Sequence, residues 1–359
     1  MRSDARTIAV FLLSLALLMA ACGARRSEPP SAEPSPPPSS TQPAPSRLAS
    51  PPNSPTPATK NPFGVMLPTE LVRRPGGIET ARALGAVYYR PTSIFLDRWE
   101  GRCLECDAAL GAGLALVLTA RASGPGATAP PRDLDAYRRT LAEVLDRYRP
   151  AVLVVENEEN SALFYAGTPA EYAAELEAAC TVAHERGIPC ANGGLVSSLV
   201  ALLVYDDARR AGDAARAERI ARSAFTPEER TQLDSARAQE QLRKGEALLA
   251  SYRAAGADFV NFHWYIADPE ILVEAVAFLR AQTGLPAVTN EVGQVTDDPE
   301  DTTAIMAGVV DAGLPIAIWF GLDGPKARGL VDRDGTVRPT GDAFRRFIAD
   351  HFGPIGPGG

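Results

Sequence analysis

Lysine is nearly missing from this chain, with three in 359 residues at Lys60, Lys244 and Lys326. Arginine carries almost all the basic charge and is outweighed, 36 Lys+Arg against 44 Asp+Glu, for a formal charge of −8. That balance argues against nucleic acid as a partner, because phosphates must be met by clustered positive charge. Histidine is equally scarce, at His184, His263 and His351. A metal-dependent barrel hydrolase needs several histidine ligands in one place, yet His184 falls in a helical stretch and His351 near the end. Only His263 is left for a site, and no metal or cofactor is expected. No lysine lies in any strand-like run, which excludes a Schiff-base mechanism on a strand. No serine sits in a Gly-x-Ser-x-Gly elbow, which argues against an esterase.

Cysteine is present in an odd number, five, so an exported chain must account for one left over. Arg2 and Arg6 precede an apolar run from Ile8 to Ala21 that is short for a bilayer span. It ends Leu18-Met19-Ala20-Ala21-Cys22, which resembles a bacterial lipoprotein signal. The resemblance implies removal of residues 1–21 and a lipid on Cys22. From Gly23 to Lys60, 12 of 38 residues are Pro, with too little apolar surface to offset chain entropy. Residues 22–60 therefore read as a disordered tether, with a reach on the order of 100 Å. The expectation is an exported monomer anchored to the bacterial membrane by its lipid, with residues 61–359 forming one domain. Cys103 and Cys106 form a Cys-x-x-Cys that could bind metal or exchange electrons, but a second ligand pair with zinc spacing is missing. Two local disulfides, Cys103 with Cys106 and Cys180 with Cys190, are the preferred reading.

Eight short apolar, β-rich runs recur at Phe63–Leu67, Ala86–Tyr89, Leu114–Leu118, Ala151–Val155, Pro189–Asn192, Phe259–Phe262, Pro286–Thr289 and Pro315–Ile318. Helical stretches lie between them, including Asp133–Arg147, Pro169–Arg186, Glu270–Thr283 and Asp301–Ala312, several opened by Pro or a capping residue. Run starts are 23, 28, 37, 38, 70, 27 and 29 residues apart, the spacing of βα units with one large insertion. This favours an α/β fold of the (β/α)8 TIM-barrel type over a doubly wound sheet, and no Gly-rich dinucleotide fingerprint follows the first run. The insertion between the fifth and sixth strands, residues 205–241, is expected to form one or two helices over the barrel mouth.

Barrel enzymes gather their functional groups at the C-terminal ends of the strands. The fourth run ends Glu156-Asn157-Glu158-Glu159-Asn160, the sixth His263-Trp264-Tyr265, the seventh Asn290-Glu291-Val292-Gly293, and the eighth Trp319-Phe320. The second ends in Arg90, with Trp99 nine residues on, where it could be either core packing or a sugar platform. Together these residues resemble the retaining glycoside hydrolases of clan A. The stretch from Asn157 through Gly167-Thr168-Pro169-Ala170-Glu171-Tyr172 looks most like glycoside hydrolase family 39, and family 5 is similar in pattern. Two departures stand out: no Pro follows the acid cluster, and Asn290 occupies the place just before the second glutamate.

The resemblance implies that Glu158 is the acid/base and Glu291 the nucleophile of a double displacement on a β-glycosidic bond. It further implies that Asn157 bonds the sugar hydroxyl beside the reacting carbon, that Tyr265 and Arg90 hold Glu291 ionised, and that Trp319 and Trp264 offer aromatic faces to sugar. His263 joins the substrate-binding set by position. The substrate class implied is a poly- or oligosaccharide; the alternative is a carbohydrate-binding lipoprotein that keeps the barrel without turnover.

Overall fold

The computed structural model describes residues 60–354 apart from 125, 325 and 326. The signal-like segment, Cys22 and all of the expected tether except Lys60 lie outside the described residues. Among the described residues no helix is long and apolar enough to cross a membrane.

The strands are β1 (Phe63–Val65), β2 (Tyr88–Tyr89), β3 (Ile94–Phe95), β4 (Ala115–Arg121), β5 (Val152–Val155), β6 (Cys190–Asn192), β7 (Val260–Trp264), β8 (Ala287–Val292) and β9 (Ala317–Trp319). The helices are α1 (Thr69–Val72), α2 (Glu79–Ala83), α3 (Leu104–Gly111), α4 (Leu134–Tyr148), α5 (Pro169–His184), α6 (Ser197–Arg210), α7 (Ala214–Ala224), α8 (Pro227–Arg230), α9 (Ala236–Tyr252), α10 (Pro269–Thr283), α11 (Pro299–Asp311) and α12 (Pro339–Phe352). Local sequence explains the helix starts. Thr168, Asp268 and Asp298 cap α5, α10 and α11 through their side chains, and each is followed by a Pro whose missing N–H costs nothing at the first helical position.

All strand pairs are parallel, in the order β6-β5-β4-β2-β1-β9-β8-β7, with the short β3 lying on β4. The two outer strands meet through bridges between Ala191 and Phe259 and between Leu195 and Phe262, which closes the expected (β/α)8 barrel. The side chains of Asn192 and Asn261 complete that seam: each Nδ2 donates to the other residue's backbone carbonyl, and Asn192 Oδ1 accepts from the Asn261 N–H. Amide side chains thus replace ladder bonds where the sheet is least regular.

The barrel interior is layered. Its floor is Val117, Val152, Val154, Ala191, Val288, Ile316 and Ile318. Above the floor lie buried Thr119, Asn261 and Asn290, and above these the charged groups of the mouth. A second, larger apolar layer fills the space between the strands and the surrounding helices, as barrels require.

The insertion holds more helix than expected and lies elsewhere. Gly245 of α9 packs against Leu199 and Leu203 of α6, and Arg216 and Arg219 of α7 pair with Glu274 of α10. It widens the helical ring beside α10 rather than arching over the mouth, because buried Ala217, Ile220, Ala221 and Leu233 need an apolar partner surface that the ring supplies.

Both expected disulfides are formed, with Cα separations of 5.2 Å for Cys103–Cys106 and 5.3 Å for Cys180–Cys190. The second staples α5 to β6.

Candidate active site

β5 is followed by two residues with left-handed backbone, φ 67° at Glu156 and 46° at Glu158, conformations that non-glycine residues rarely adopt. They send the acidic run in different directions. Glu156 turns to the scaffold, accepting from the Ala122 N–H at 2.6 Å and pairing with Arg121. Glu159 is buried against the Tyr252 hydroxyl and the Asn192 amide. Only Glu158 faces the mouth, its side chain 16% exposed.

On the opposite wall, β8 carries a register shift: Asn261 pairs with Val288, but His263 pairs with Glu291, so two residues along β7 span three along β8. Consecutive strand residues ordinarily point to opposite faces, and the extra residue lets both Asn290 and Glu291 face inward. Arg90 reaches Glu291 Oε2 through Nη1 at 2.7 Å and Asn157 Oδ1 through Nη2 at 3.0 Å. The Tyr265 hydroxyl donates to Glu291 Oε1 at 2.8 Å. Burial disfavours charge on Glu291, but the adjacent His263 and Arg90 and the hydrogen bonds from Arg90 and Tyr265 outweigh it, holding the carboxyl below its usual range. Burial and then the Glu291 charge push the Tyr265 phenol well up, which keeps it a donor.

His263 sits between the two carboxylates. Its Nδ1 is 3.1 Å from Glu158 Oε1 and 3.5 Å from Glu291 Oε1, and its Nε2 is 3.1 Å from Asn290 Oδ1. Burial opposes its protonation, yet the Glu291 charge and the Glu158 hydrogen bond outweigh burial and raise its pKa. One ligand atom from each of Glu158, His263 and Glu291 lies within 4.8 Å of the others. His263 and Arg90 both place positive charge beside Glu291.

The structure thus brings together Arg90, Asn157, Glu158, His263, Tyr265 and Glu291. It does not bring Trp264 and Trp319 to them. Both are fully buried behind the barrel wall: Trp264 packs edge-on against Phe262, and Trp319 against Phe344 of α12. The reason is the two-residue period of a strand, which turns Trp264 outward because its neighbour His263 points in. Trp99 packs edge-on against Tyr148, the core alternative. The apolar surface at the mouth comes instead from Phe320, Met66 and Leu322 around Tyr265, with the Phe320 and Tyr265 rings 6.2 Å apart and nearly perpendicular. Phe320 directly follows Trp319 at the end of β9 and takes the opposite face, a direction that no residue pattern in this run distinguishes.

No family model matches the chain, and no curated protein matches it. Among solved structures, a glucosidase from Croceicoccus marinus is similar at a TM-score of 0.57 and 13% identity, covering 82% of this chain and 69% of its own. The beta-glycosidase BGL167 is similar at 0.50 and 16% identity, covering 76% of this chain and 84% of its own. A GH128 (subgroup II) endo-beta-1,3-glucanase from Pseudomonas viridiflava reaches 0.48 at 16% identity, with 79% and 96% covered. At such low identity what the chain shares with the first two is the barrel fold.

Proposed function

We propose that this chain is a retaining glycoside hydrolase of the clan A type, cleaving β-glycosidic bonds of a poly- or oligosaccharide. The observation that carries the reading is the closeness of Glu158 and Glu291: one oxygen of each lies within 4.8 Å of the other across the mouth. Retaining enzymes hold their carboxyl groups about 5–5.5 Å apart, whereas inverting enzymes leave about 6.5–9.5 Å for a water. Glu291, kept ionised by Arg90 and Tyr265, attacks the anomeric carbon. As the bond to the leaving oxygen breaks, protonated Glu158 gives that oxygen its proton, then as carboxylate takes one from the water that releases the sugar. Asn157, with its Oδ1 held by Arg90, keeps its NH2 for a sugar hydroxyl. The names of the two solved structures that share the barrel agree with this reading. The lipoprotein-like signal and the two disulfides support export to an oxidising compartment and a lipid anchor at the bacterial membrane.

A panel of activated aryl β-glycosides tests the reading. Wild type should release aglycone, Glu291→Ala should lose at least about a thousandfold in kcat, and azide should restore turnover with a glycosyl azide product. Sugar binding without turnover by wild type would overturn it in favour of a binding protein.

A further inference from the structure

Asn290, the departure from the family pattern just before Glu291, has a definite orientation. Asn261 Oδ1 accepts from the Asn290 backbone N–H at 2.9 Å, and Asn261 Nδ2 donates to the Asn192 carbonyl at 3.0 Å, so backbone groups at both ends fix which way the Asn261 amide lies. The same Nδ2 donates to Asn290 Oδ1 at 2.8 Å, so the Asn290 atom facing His263 is an oxygen. Asn290 Nδ2 turns the other way, toward Thr119 Oγ1 at 3.4 Å. An amide oxygen can only accept. The His263 Nε2 facing it at 3.1 Å must therefore carry a hydrogen. The ring lies close against Gly194, where a Cβ would sit 2.4 Å from that nitrogen, so the position beside it suits only glycine. Every member of this arrangement is essentially shut off from solvent: Thr119, Asn192, Asn261, His263 and Asn290 are each at most 1% exposed.

We propose that Asn290 is a positioning residue that locks His263 in its Nε2–H form, so that Nδ1 becomes a single proton port shared by Glu158 and Glu291. In a neutral imidazole of this form Nδ1 offers a lone pair to two carboxylates, a repulsive contact. The cluster relieves it by retaining one further proton, either on Nδ1, donating to the carboxylates, or on Glu158, donating to Nδ1. If His263 were free to take the Nδ1–H form, the neutral ring would satisfy both carboxylates without that proton, and it would be lost at lower pH. The lock keeps the acid proton of the proposed reaction in place as pH rises. The charged or titrating groups around the ring are Glu158, Glu291, Arg90, Tyr265 and, from beneath, Glu159; Glu291 and Glu158 favour the retained proton and Arg90 opposes it. The tautomer itself is independent of the glycosidase reading; its consequence for rate rests on that reading.

The test uses the full chain labelled with 15N-histidine, in which only three imidazoles contribute and His263 is identified by the signals missing in His263→Gln. Long-range proton–nitrogen spectra across pH should show His263 passing from doubly protonated to Nε2–H, and a neutral Nδ1–H ring in wild type would overturn the proposal. In Asn290→Ala the neutral ring should switch to Nδ1–H, and in Asn290→Asp, which keeps an acceptor and adds charge, it should stay Nε2–H. In kinetics the alkaline limb of kcat/KM should move down by about one pH unit in Asn290→Ala and hold or rise in Asn290→Asp. Limbs that coincide in all three active proteins would overturn the functional role while leaving the tautomer standing. Absence of activity in every protein would defeat the glycosidase reading, and with it the catalytic consequence, but the spectra would still decide the lock.

Discussion

Arg90 and Glu291 are 201 residues apart in the chain and 2.7 Å apart in the barrel mouth. The ends of β2 and β8 supply the two partners, and both are buried, so Arg90 is one of the groups, with His263 and Tyr265, that offset the burial of the Glu291 charge. Arg90→Gln should leave the burial of Glu291 offset only by His263 and Tyr265. The acid limb of kcat/KM is expected to move to higher pH, with kcat down by about a hundredfold or more, measured against wild type on one aryl glycoside. An unmoved acid limb would show that Arg90 does not set the ionisation of Glu291.

The acid/base role proposed for Glu158 carries a distinct kinetic signature. In Glu158→Gln, substrates with good leaving groups such as dinitrophenyl should keep glycosylation close to wild type, while alkyl or sugar leaving groups should lose about 10²–10⁴-fold in kcat/KM for want of a proton donor. The measurement is the slope of log kcat/KM against leaving-group pKa, expected to steepen in the variant. Equal losses on every leaving group would assign Glu158 a different role.

His263 and Glu291 together shape the dependence of stability on pH. Glu291 has a lowered folded pKa, so its contribution is complete above the unfolded value of about 4.3 and is lost as pH falls through the folded value. His263 has a raised folded pKa, so its contribution is complete below about 6.5 and is lost as pH rises through the folded value. The difference in Tm between wild type and His263→Gln should be largest between about pH 4.3 and 6.5 and shrink on both sides. A difference that is flat from pH 4 to pH 9 would contradict this.

Trp319 and Phe320 are neighbours with opposite duties. Trp319→Ala empties a fully buried site against Phe344 and should cost about 3–5 kcal/mol of stability, with kcat and KM near wild type at temperatures where the variant stays folded. Phe320→Ala strips the mouth beside Tyr265 and should raise KM several-fold at a smaller cost in stability. Chemical denaturation with steady-state kinetics on both variants separates the two, and the reverse pattern would restore Trp319 as the sugar platform.

Reducing the Cys180–Cys190 bridge should lower stability by about 2–3 kcal/mol, given its short loop. The bridge lies on α5 and β6, away from Glu158 and Glu291, so kcat on folded protein should hold. Denaturation of Cys180→Ala with and without reductant checks this: reductant should no longer change the midpoint by that amount.

Much of this molecule was legible in its residues before folding. The eight βα units, the Asp-Pro and Thr-Pro helix starts and both cysteine pairs are written in local sequence, because each depends on backbone propensity or on partners close along the chain. The strand ends also marked a cluster, and Arg90, Asn157, Glu158, His263, Tyr265 and Glu291 all converge at the barrel mouth. What only tertiary structure decided is direction. Barrel strands are buried on both faces, so alternation of polar and apolar residues, the usual guide to inside and outside, is largely erased. Hence Trp264 and Trp319 could look like mouth residues while packing outward. Hence too a run holding Glu156, Glu158 and Glu159 could not say which carboxylate faces the mouth: two left-handed residues settle that. The register shift in β8 depends on its pairing with β7, and it alone turns Asn290 inward beside Glu291, where its amide oxygen meets His263. Chemistry resided in residue types; their aim came from register, which no single strand carries by itself.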